Sequence, residues 1–223
     1  MRLIKYFQDD TSALRLSWQL RCRRARMIEA MIRRAYQENG RCRILDVGGE
    51  IGYWKVIDRA SLESCGVRIV CLNPKLLESE DALIDTVVGD GCNLPFDDQS
   101  FDIVHSNSVI EHVGDWRQVR SFARETRRVG RRYYVQTPNF WFPVEPHYSA
   151  LFVHWFPEPV RARLLMSAKR GFFPKAENVS RAVETVQSAR LLDRKMFGYL
   201  FPDAVLHDEK LLGMTKSLIA IRM

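Results

Sequence analysis

The chain has 223 residues, of which 46% are hydrophobic and 27% charged, and its formal net charge is +7. This length can bury a sizeable core and is short for two domains, and the composition excludes a disordered or fibrous chain. No apolar run approaches the ~20 residues of a membrane-spanning helix, and residues 1–10 lack the apolar segment of a secretory signal. We therefore expect one soluble domain over residues 1–223.

The cysteines predict the redox compartment. They form no C-x-x-C pair, and three of them lie in or beside predicted core strands. Free buried thiols in a reducing cytoplasm are the expected state, and no metal site is expected. The five are Cys22, Cys42, Cys65, Cys71 and Cys92.

The first predicted element is a long helix over 12–39, within an N-terminal helical segment that covers 1–41. Apolar residues recur there at helical spacing and Gly40 can end the helix. We expect this stripe to pack on the sheet or to form part of a substrate pocket, and the arginines, which lie mostly off the stripe, to face water. The stripe comprises Leu14, Trp18, Cys22, Ala25, Ile28, Ile32, Ala35 and Tyr36.

Strands and helices then alternate along the chain. Strands are predicted at 42–47, 67–72, 86–89, 101–106, 132–136, 204–207 and 216–222, and helices at 53–64, 116–129 and 178–198. This order predicts an α/β fold with a Rossmann-like, seven-stranded mixed sheet, mostly parallel, with helices on both faces. The short connection through Gly213 predicts that the last strand is antiparallel.

Residues 138–175 interrupt this alternation with closely spaced aromatic residues and prolines. The segment is too long for a simple loop, and it follows the fifth strand at the sheet edge where ligands bind in open α/β folds. We interpret it as a lid over a substrate site. An aromatic satellite core beneath a long loop is compatible with that interpretation, and contact with a membrane surface is a further alternative.

The most informative stretch is Ile44–Gly52, with the sequence ILDVGGEIG. An apolar run ends in an acid, and a glycine-rich turn then leads into the aromatic pair Tyr53 and Trp54. Such a turn joins a buried strand to a helix and lets backbone N–H groups approach a ligand. It predicts a nucleotide-like cofactor.

Two downstream segments indicate which cofactor. They read VVGDGCNLPF over 87–96 and SFDIVHSNSVIEHV over 100–113. Together they resemble the class I S-adenosylmethionine (SAM)-dependent methyltransferases, in which a string GDxxxLPFxDxSFDxVxSxxVxEHV spans strands three and four. The resemblance is strong over 42–138 and weaker over 200–220. With LN after the second strand and QTPN…FPxEPH after the fifth, the chain resembles a bacterial subgroup among glycan-modifying methyltransferases.

This resemblance implies that SAM is the cofactor and suggests how it is held. The acid of the first strand would support the amino-acid end, an amide would take the place of the usual acid at the ribose, and an acid after the third strand would bind the adenine amino group. Plain turns are the alternative at each place. The implied residues are Asp46, Gly48, Gly49, Gly52, Asn73, Asp90, Gly91, Cys92, Asn107 and Ser108. Glu50 departs from the family, which has glycine there.

Acid–base chemistry is expected from the lid. His147, oriented by Glu145, is the first candidate for a general base, and His112 of the EH pair is the second. A base is needed only when the methyl acceptor must lose a proton. The alternative is a proline-rich loop whose polar groups cap one another.

We therefore interpret the chain as a SAM-dependent methyltransferase for a small-molecule or glycan acceptor, with O-methylation favoured over N-methylation. Arginines crowd residues 15–43 and 117–132, so an RNA methyltransferase is a second hypothesis. Against this second hypothesis, the sequence shows neither an appended RNA-binding module nor an N/D-P-P-Y signature. A third is a non-catalytic SAM-fold binding or scaffold protein damaged at Glu50. A Rossmann dehydrogenase is rejected because G-x-G-x-x-G needs glycine at Glu50.

Overall fold

A central seven-stranded sheet organises the protein. A computed structural model describes residues 11–145 and 147–223, with side chains from residue 18 onward. The strands along the sheet follow the order β3-β2-β1-β4-β5-β9-β8, and β6 and β7 form a separate pair. Their bounds are β1 Cys42–Val47, β2 Val67–Asn73, β3 Ile84–Val88, β4 Phe101–Asn107, β5 Gly130–Pro138, β6 Val144–Glu145, β7 Ala150–Leu151, β8 Val205–Leu211 and β9 Met214–Arg222.

Strand direction confirms the predicted fold class. The pairs β1–β2, β2–β3, β1–β4 and β4–β5 are parallel, whereas β9 runs antiparallel to both β5 and β8. The chain builds outward from β1 to β3 and then crosses to β4 on the other side of β1. Ligands bind at such a reversal of strand order, outside the carboxyl ends of the strands.

Helices cover both faces of this sheet. They are α1 Thr11–Asn39, α2 Arg59–Ser64, α3 Trp116–Val129, α4 Glu158–Ser167, α5 Val179–Gln187 and α6 Arg194–Leu200, with short 3₁₀ turns at Ile51–Val56, Ile110–His112 and Val153–Trp155. Because side chains alternate along a strand, Ile44 packs with Ile28 of α1 on one face, and Leu45 packs with Phe122 of α3 on the other. Two apolar clusters therefore bury the sheet on both sides.

Several predicted elements differ in extent. The predicted helix over 53–64 is a 3₁₀ turn followed by α2, since Asp58 starts a new helix by accepting the Ser61 N–H. The predicted helix over 178–198 is α5 and α6, interrupted where Leu192 pairs with Asn139 and Asp193 caps α6. Strand β5 is longer than predicted, and β3 lies about two residues earlier.

The predicted stripe of α1 is only partly buried. Two of its aromatic members are exposed, Trp18 at 53% and Tyr36 at 40%. The buried members are Ala25, Ile28, Ile32 and Ala35. The described arginines of this helix face water as expected, except Arg24, which is buried. Residues 1–10 of the predicted helical segment, and the side chain of Leu14, lie outside the described parts of the structure.

All five cysteines are free, but only Cys42 and Cys71 are buried, while Cys22, Cys65 and Cys92 are partly exposed. The prediction of buried thiols is therefore wrong for three of the five. Among the described helices, none is both long and apolar enough to cross a membrane.

The segment after β5 folds around a small core of its own. Side chains of this segment and of α5 form one apolar cluster that includes Tyr148, Leu165 and Val186. The satellite core therefore exists, and it extends past residue 175. Other aromatic residues of the segment instead lie at the surface: Trp141, Phe152, Trp155, Phe156 and Phe172. Contact of these rings with a membrane stays a prediction.

Candidate functional site

The glycine turn after β1 admits no side chain at its first two positions. Gly48 has a φ of +70°, and a Cβ there would lie 2.6 Å from Val109 Cγ2. A Cβ on Gly49 would overlap the carboxylate of Asp46. At Gly52, by contrast, no described atom lies within 4 Å of where a Cβ would stand. The turn is therefore tightly packed against the protein at Gly48 and Gly49, and it has free space at Gly52.

The Asp46 carboxylate is fully buried beneath this turn. Its Oδ1 lies 2.6 Å from His105 Nδ1, and its Oδ2 accepts a hydrogen bond from Trp54 Nε1 at 2.8 Å. Both oxygens are thus bonded inside the protein. Asp46 fixes the turn against the sheet, and its contact with a ligand stays a prediction.

Asn73 and Asp90 stand at the ends of the neighbouring strands. Asn73 Nδ2 donates to the Gly49 carbonyl at 3.0 Å, which leaves its Oδ1 available as an acceptor. Asp90 is exposed, and its Oδ1 accepts the Cys92 N–H at 2.8 Å in an Asx turn. Gly91 packs against Val47 and Phe122. These residues share the carboxyl edge of the sheet with the glycine turn.

Asn107 and Ser108 end β4, but their side chains belong to an internal network. Arg24 Nη1 donates to Asn107 Oδ1 at 2.8 Å and to Gln136 Oε1 at 3.3 Å. The Ser108 hydroxyl donates to the same Gln136 oxygen at 3.0 Å. Arg24 also pairs with Glu209 of β8. The sequence gives no signal for this network, because Arg24 resembles the other arginines of its helix.

The three residues proposed for acid–base chemistry are brought together in one hydrogen-bonded chain. Glu145 Oε1 lies 2.6 Å from His147 Nδ1, and His147 Nε2 lies 3.0 Å from His112 Nε2. His112 Nδ1 in turn lies 2.9 Å from the Ser188 carbonyl oxygen. The second Glu145 oxygen accepts the Tyr148 N–H at 2.6 Å. The lid is thereby tied to the loop after β4.

The partners in this chain limit where its protons can be. The Ser188 carbonyl can only accept, so His112 carries a proton on Nδ1, and the Glu145 carboxylate requires one on His147 Nδ1. A hydrogen bond between the two Nε2 atoms requires a third proton, which lies between them. While all of these hydrogen bonds are formed, the two imidazoles therefore share a single positive charge.

The pKa shifts of the two rings favour His147 as the holder of this shared charge. Burial lowers the pKa of His147, but the hydrogen bond with Glu145 and the charges of Glu145 and Glu111 outweigh it and raise the pKa above its ordinary value. Burial first, and then the positive His147, lower the pKa of His112. Burial also raises the pKa of Glu111 to about 7, while Thr137 Oγ1 donates to its Oε2 at 3.0 Å.

Internal ion pairs neutralise many of the arginines in the two basic clusters. In α1, Arg33 pairs with Glu29 and Arg34 with Glu38. In and after α3, the pairs are Arg127–Asp203, Arg128–Glu125 and Arg132–Glu38. The charge available to a phosphate backbone is therefore smaller than the sequence suggests. The side chain of Arg15 lies outside the described residues.

Comparisons with known proteins find relatives of part of this chain. A family model described as a methyltransferase domain matches residues 45–132. The demethylmenaquinone methyltransferase of Corynebacterium efficiens is 32% identical over 99 residues, which cover 43% of this chain and 42% of that protein. Its Corynebacterium glutamicum counterpart is 27% identical over 122 residues, 53% of this chain and 52% of that protein. The chain thus spans about half the length of these curated relatives.

Solved structures show a more distant likeness. A Pyrococcus horikoshii protein is 16% identical with a TM-score of 0.47, and the match covers 81% of each chain. A SAM-dependent methyltransferase from Methanosarcina mazei is 15% identical with a TM-score of 0.45, covering 81% of this chain and 91% of that one.

Proposed function

We propose that this chain is a class I SAM-dependent methyltransferase that transfers a methyl group to a hydroxyl oxygen of a small-molecule or glycan acceptor. The observation that supports this proposal best is the hydrogen-bonded chain of Glu145, His147 and His112. It stands beyond the carboxyl ends of β4 and β5, at the same edge of the sheet as the glycine turn. N-methylation of an amine that is already neutral would need no such base.

The residues at this edge fit SAM. The turn at Gly48 and Gly49 excludes side chains and is open at Gly52, so a ligand can lie close to the backbone. Asn73 Oδ1 can accept from a ribose hydroxyl, and the exposed Asp90 carboxylate can accept from the adenine amino group. Bound SAM would supply a methyl group activated by a sulfonium.

The histidine chain can remove the proton of the methyl acceptor. His147 Nε2 faces His112 while the pair shares its extra proton. Once that proton leaves, no hydrogen lies between the two Nε2 atoms, and the lone pair on His147 can accept a hydroxyl proton. Glu145 keeps the ring in place and stabilises the cation that results. The lid aligns the methyl acceptor and excludes water.

Two observations support a small methyl acceptor over RNA. The curated relatives are named for demethylmenaquinone, which is a small molecule. The ion pairs within the arginine clusters also leave less free positive charge. The test is to incubate the purified protein with methyl-labelled SAM and either the small-molecule or the RNA fraction of a cell extract. Label is expected in small molecules, and label in RNA alone would contradict the proposal.

Glu50 is expected to be tolerated in the glycine turn. Its side chain is exposed, and its backbone is extended, with φ −97° and ψ 132°, so the position does not require glycine. We expect Glu50→Gly to change SAM affinity by less than about tenfold, or ~1.4 kcal/mol, by calorimetric titration. A hundredfold gain would mean that the native residue blocks the cofactor, and it would favour the scaffold hypothesis.

A further inference from the structure

A cavity of about 300 Å³ lies inside the lid, apart from the glycine turn. Lid residues and the segment after α5 enclose it, with the rings of Phe140, Tyr148 and Phe173 on its walls. Its volume is at the lower end for small-molecule sites, which span roughly 300–1,000 Å³. One wall includes Glu145, which also holds the ring of His147.

Three residues that border this cavity each have a buried polar atom with no hydrogen-bond partner among the described residues. The atoms are Tyr148 Oη, His154 Nδ1 and Arg161 Nε, and the residues Tyr148 and His154 are only 5% and 7% exposed. Buried polar groups are nearly always bonded, so a molecule bound in this cavity can supply the partners that these groups lack.

The chemistry of these atoms defines what the ligand must offer. His154 Nε2 lies 2.8 Å from the Phe140 carbonyl oxygen and therefore carries the hydrogen. Burial lowers the pKa of His154 and favours the neutral ring, so Nδ1 can only accept. Arg161 Nε can only donate, and the Tyr148 hydroxyl can do either. A ligand must then present both donors and acceptors, as hydroxyl groups do.

The charges around the cavity favour an anion. Arg161 and Arg190 both border it, and within the described part of the chain neither forms an ion pair. Of the two acids there, Glu145 is already bonded to His147 and the Tyr148 N–H. Glu158 accepts a hydrogen bond from Gln187 Nε2 at 3.2 Å. Two guanidinium groups therefore border the cavity, and Glu158 is the one carboxylate there that is not paired with a cation among the described residues.

We propose that this cavity binds a ring that carries hydroxyl groups and one anionic group, such as a sugar acid or a hydroxylated aromatic acid. The aromatic walls would pack against the faces of the ring, and the arginines would hold its anion. The identification of this ligand as the methyl acceptor rests on the proposed function, through the position of Glu145 between the cavity and His147.

Binding without SAM tests the site. The probes form two matched pairs: D-glucuronate with D-glucose, which lacks the charge, and 4-hydroxybenzoate with benzoate, which lacks the hydroxyl. At least one charged, hydroxylated probe should bind about tenfold more tightly than its partner in a calorimetric titration. The pair that shows the difference tells whether the ring is saturated or aromatic. Equal binding within both pairs, or no binding of any probe, would overturn the proposal.

Two variants locate the binding. Tyr148→Phe removes a hydroxyl without a partner, so the free protein should unfold at the same temperature or higher, while the favoured probe binds about tenfold more weakly. Arg161→Gln removes one of the two cations at the cavity, so it should also weaken binding of the favoured probe, which is a carboxylate in either pair. Arg163→Gln, on an exposed position of the same helix, is the control and should change neither. Unchanged probe binding in Tyr148→Phe and Arg161→Gln would place the ligand elsewhere.

Methyl transfer separates this inference from the proposed function. If the probes bind as expected but no small molecule is ever methylated, the cavity stands and the proposed function fails. If methylation of a native acceptor proceeds at the wild-type rate in both Tyr148→Phe and Arg161→Gln, the proposed function stands, and the cavity is not the site of the methyl acceptor.

Discussion

His147→Ala is expected to lower the rate of methyl transfer by roughly 10²–10⁴-fold, the usual contribution of a general base. Binding of SAM should survive, because His147 contacts Glu145 and His112 rather than the residues of the glycine turn. Single-turnover transfer measures the first effect and calorimetric titration the second. His207→Ala, on β8, is a control for the loss of a histidine and should leave the transfer rate unchanged.

The pH dependence gives the same prediction a second readout. The pKa of His147 is raised, so the protonated ring persists above the ordinary histidine pKa of about 6.5. The base form, and with it the wild-type rate, should grow as pH rises through that raised pKa. His147→Ala should lack this limb. A flat wild-type profile, together with a variant rate within about threefold of wild type, would remove His147 from the chemistry.

Gly49→Ala is expected to destabilise the protein and to abolish SAM binding. The added methyl group would overlap the Asp46 carboxylate, which cannot move freely because Trp54 and His105 bond both of its oxygens. Overpacking of this kind costs roughly 1–3 kcal/mol. Thermal unfolding should show a lower Tm.

Gly52→Ala is the matched control for this substitution. It adds the same methyl group to the same turn, but no described atom stands within 4 Å of it. The Tm should therefore stay close to that of the native protein. Equal unfolding temperatures for the two variants would contradict the tight fit between Gly49 and Asp46.

Local sequence signals explain why much of the fold could be predicted. The ends of α3 agree with the prediction because Asp115 caps the first turn and Gly130 follows the last one. Strand β1 is a short apolar run bounded by a glycine turn. The break between α5 and α6 combines a local signal, the Asp193 cap, with the pairing of Leu192 and Asn139, which lie far apart in the sequence. No local pattern reveals a contact of that kind.

The candidate site shows the same contrast between local sequence signals and contacts that only folding creates. Glu145 and His147 stand out because they are neighbours in a proline-rich segment, and the family motif points to His112, but only folding joins the two loops. Arg24 and Arg161 could not be selected from sequence. An arginine on a helix looks the same whether it faces water, an internal network or a cavity.

Calorimetric titration with S-adenosylhomocysteine tests most directly whether the carboxyl edge of the sheet binds the cofactor. The native protein should bind it at one site per chain. Asp90→Ala should weaken this binding by roughly 10–100-fold, since a hydrogen bond to a charged group contributes about 1.5–3 kcal/mol. Asp90→Asn keeps an oxygen for the Cys92 N–H and controls for loss of the Asx turn. No saturable binding by the native protein, or undiminished binding by both Asp90→Ala and Gly49→Ala, would contradict a SAM site at this edge.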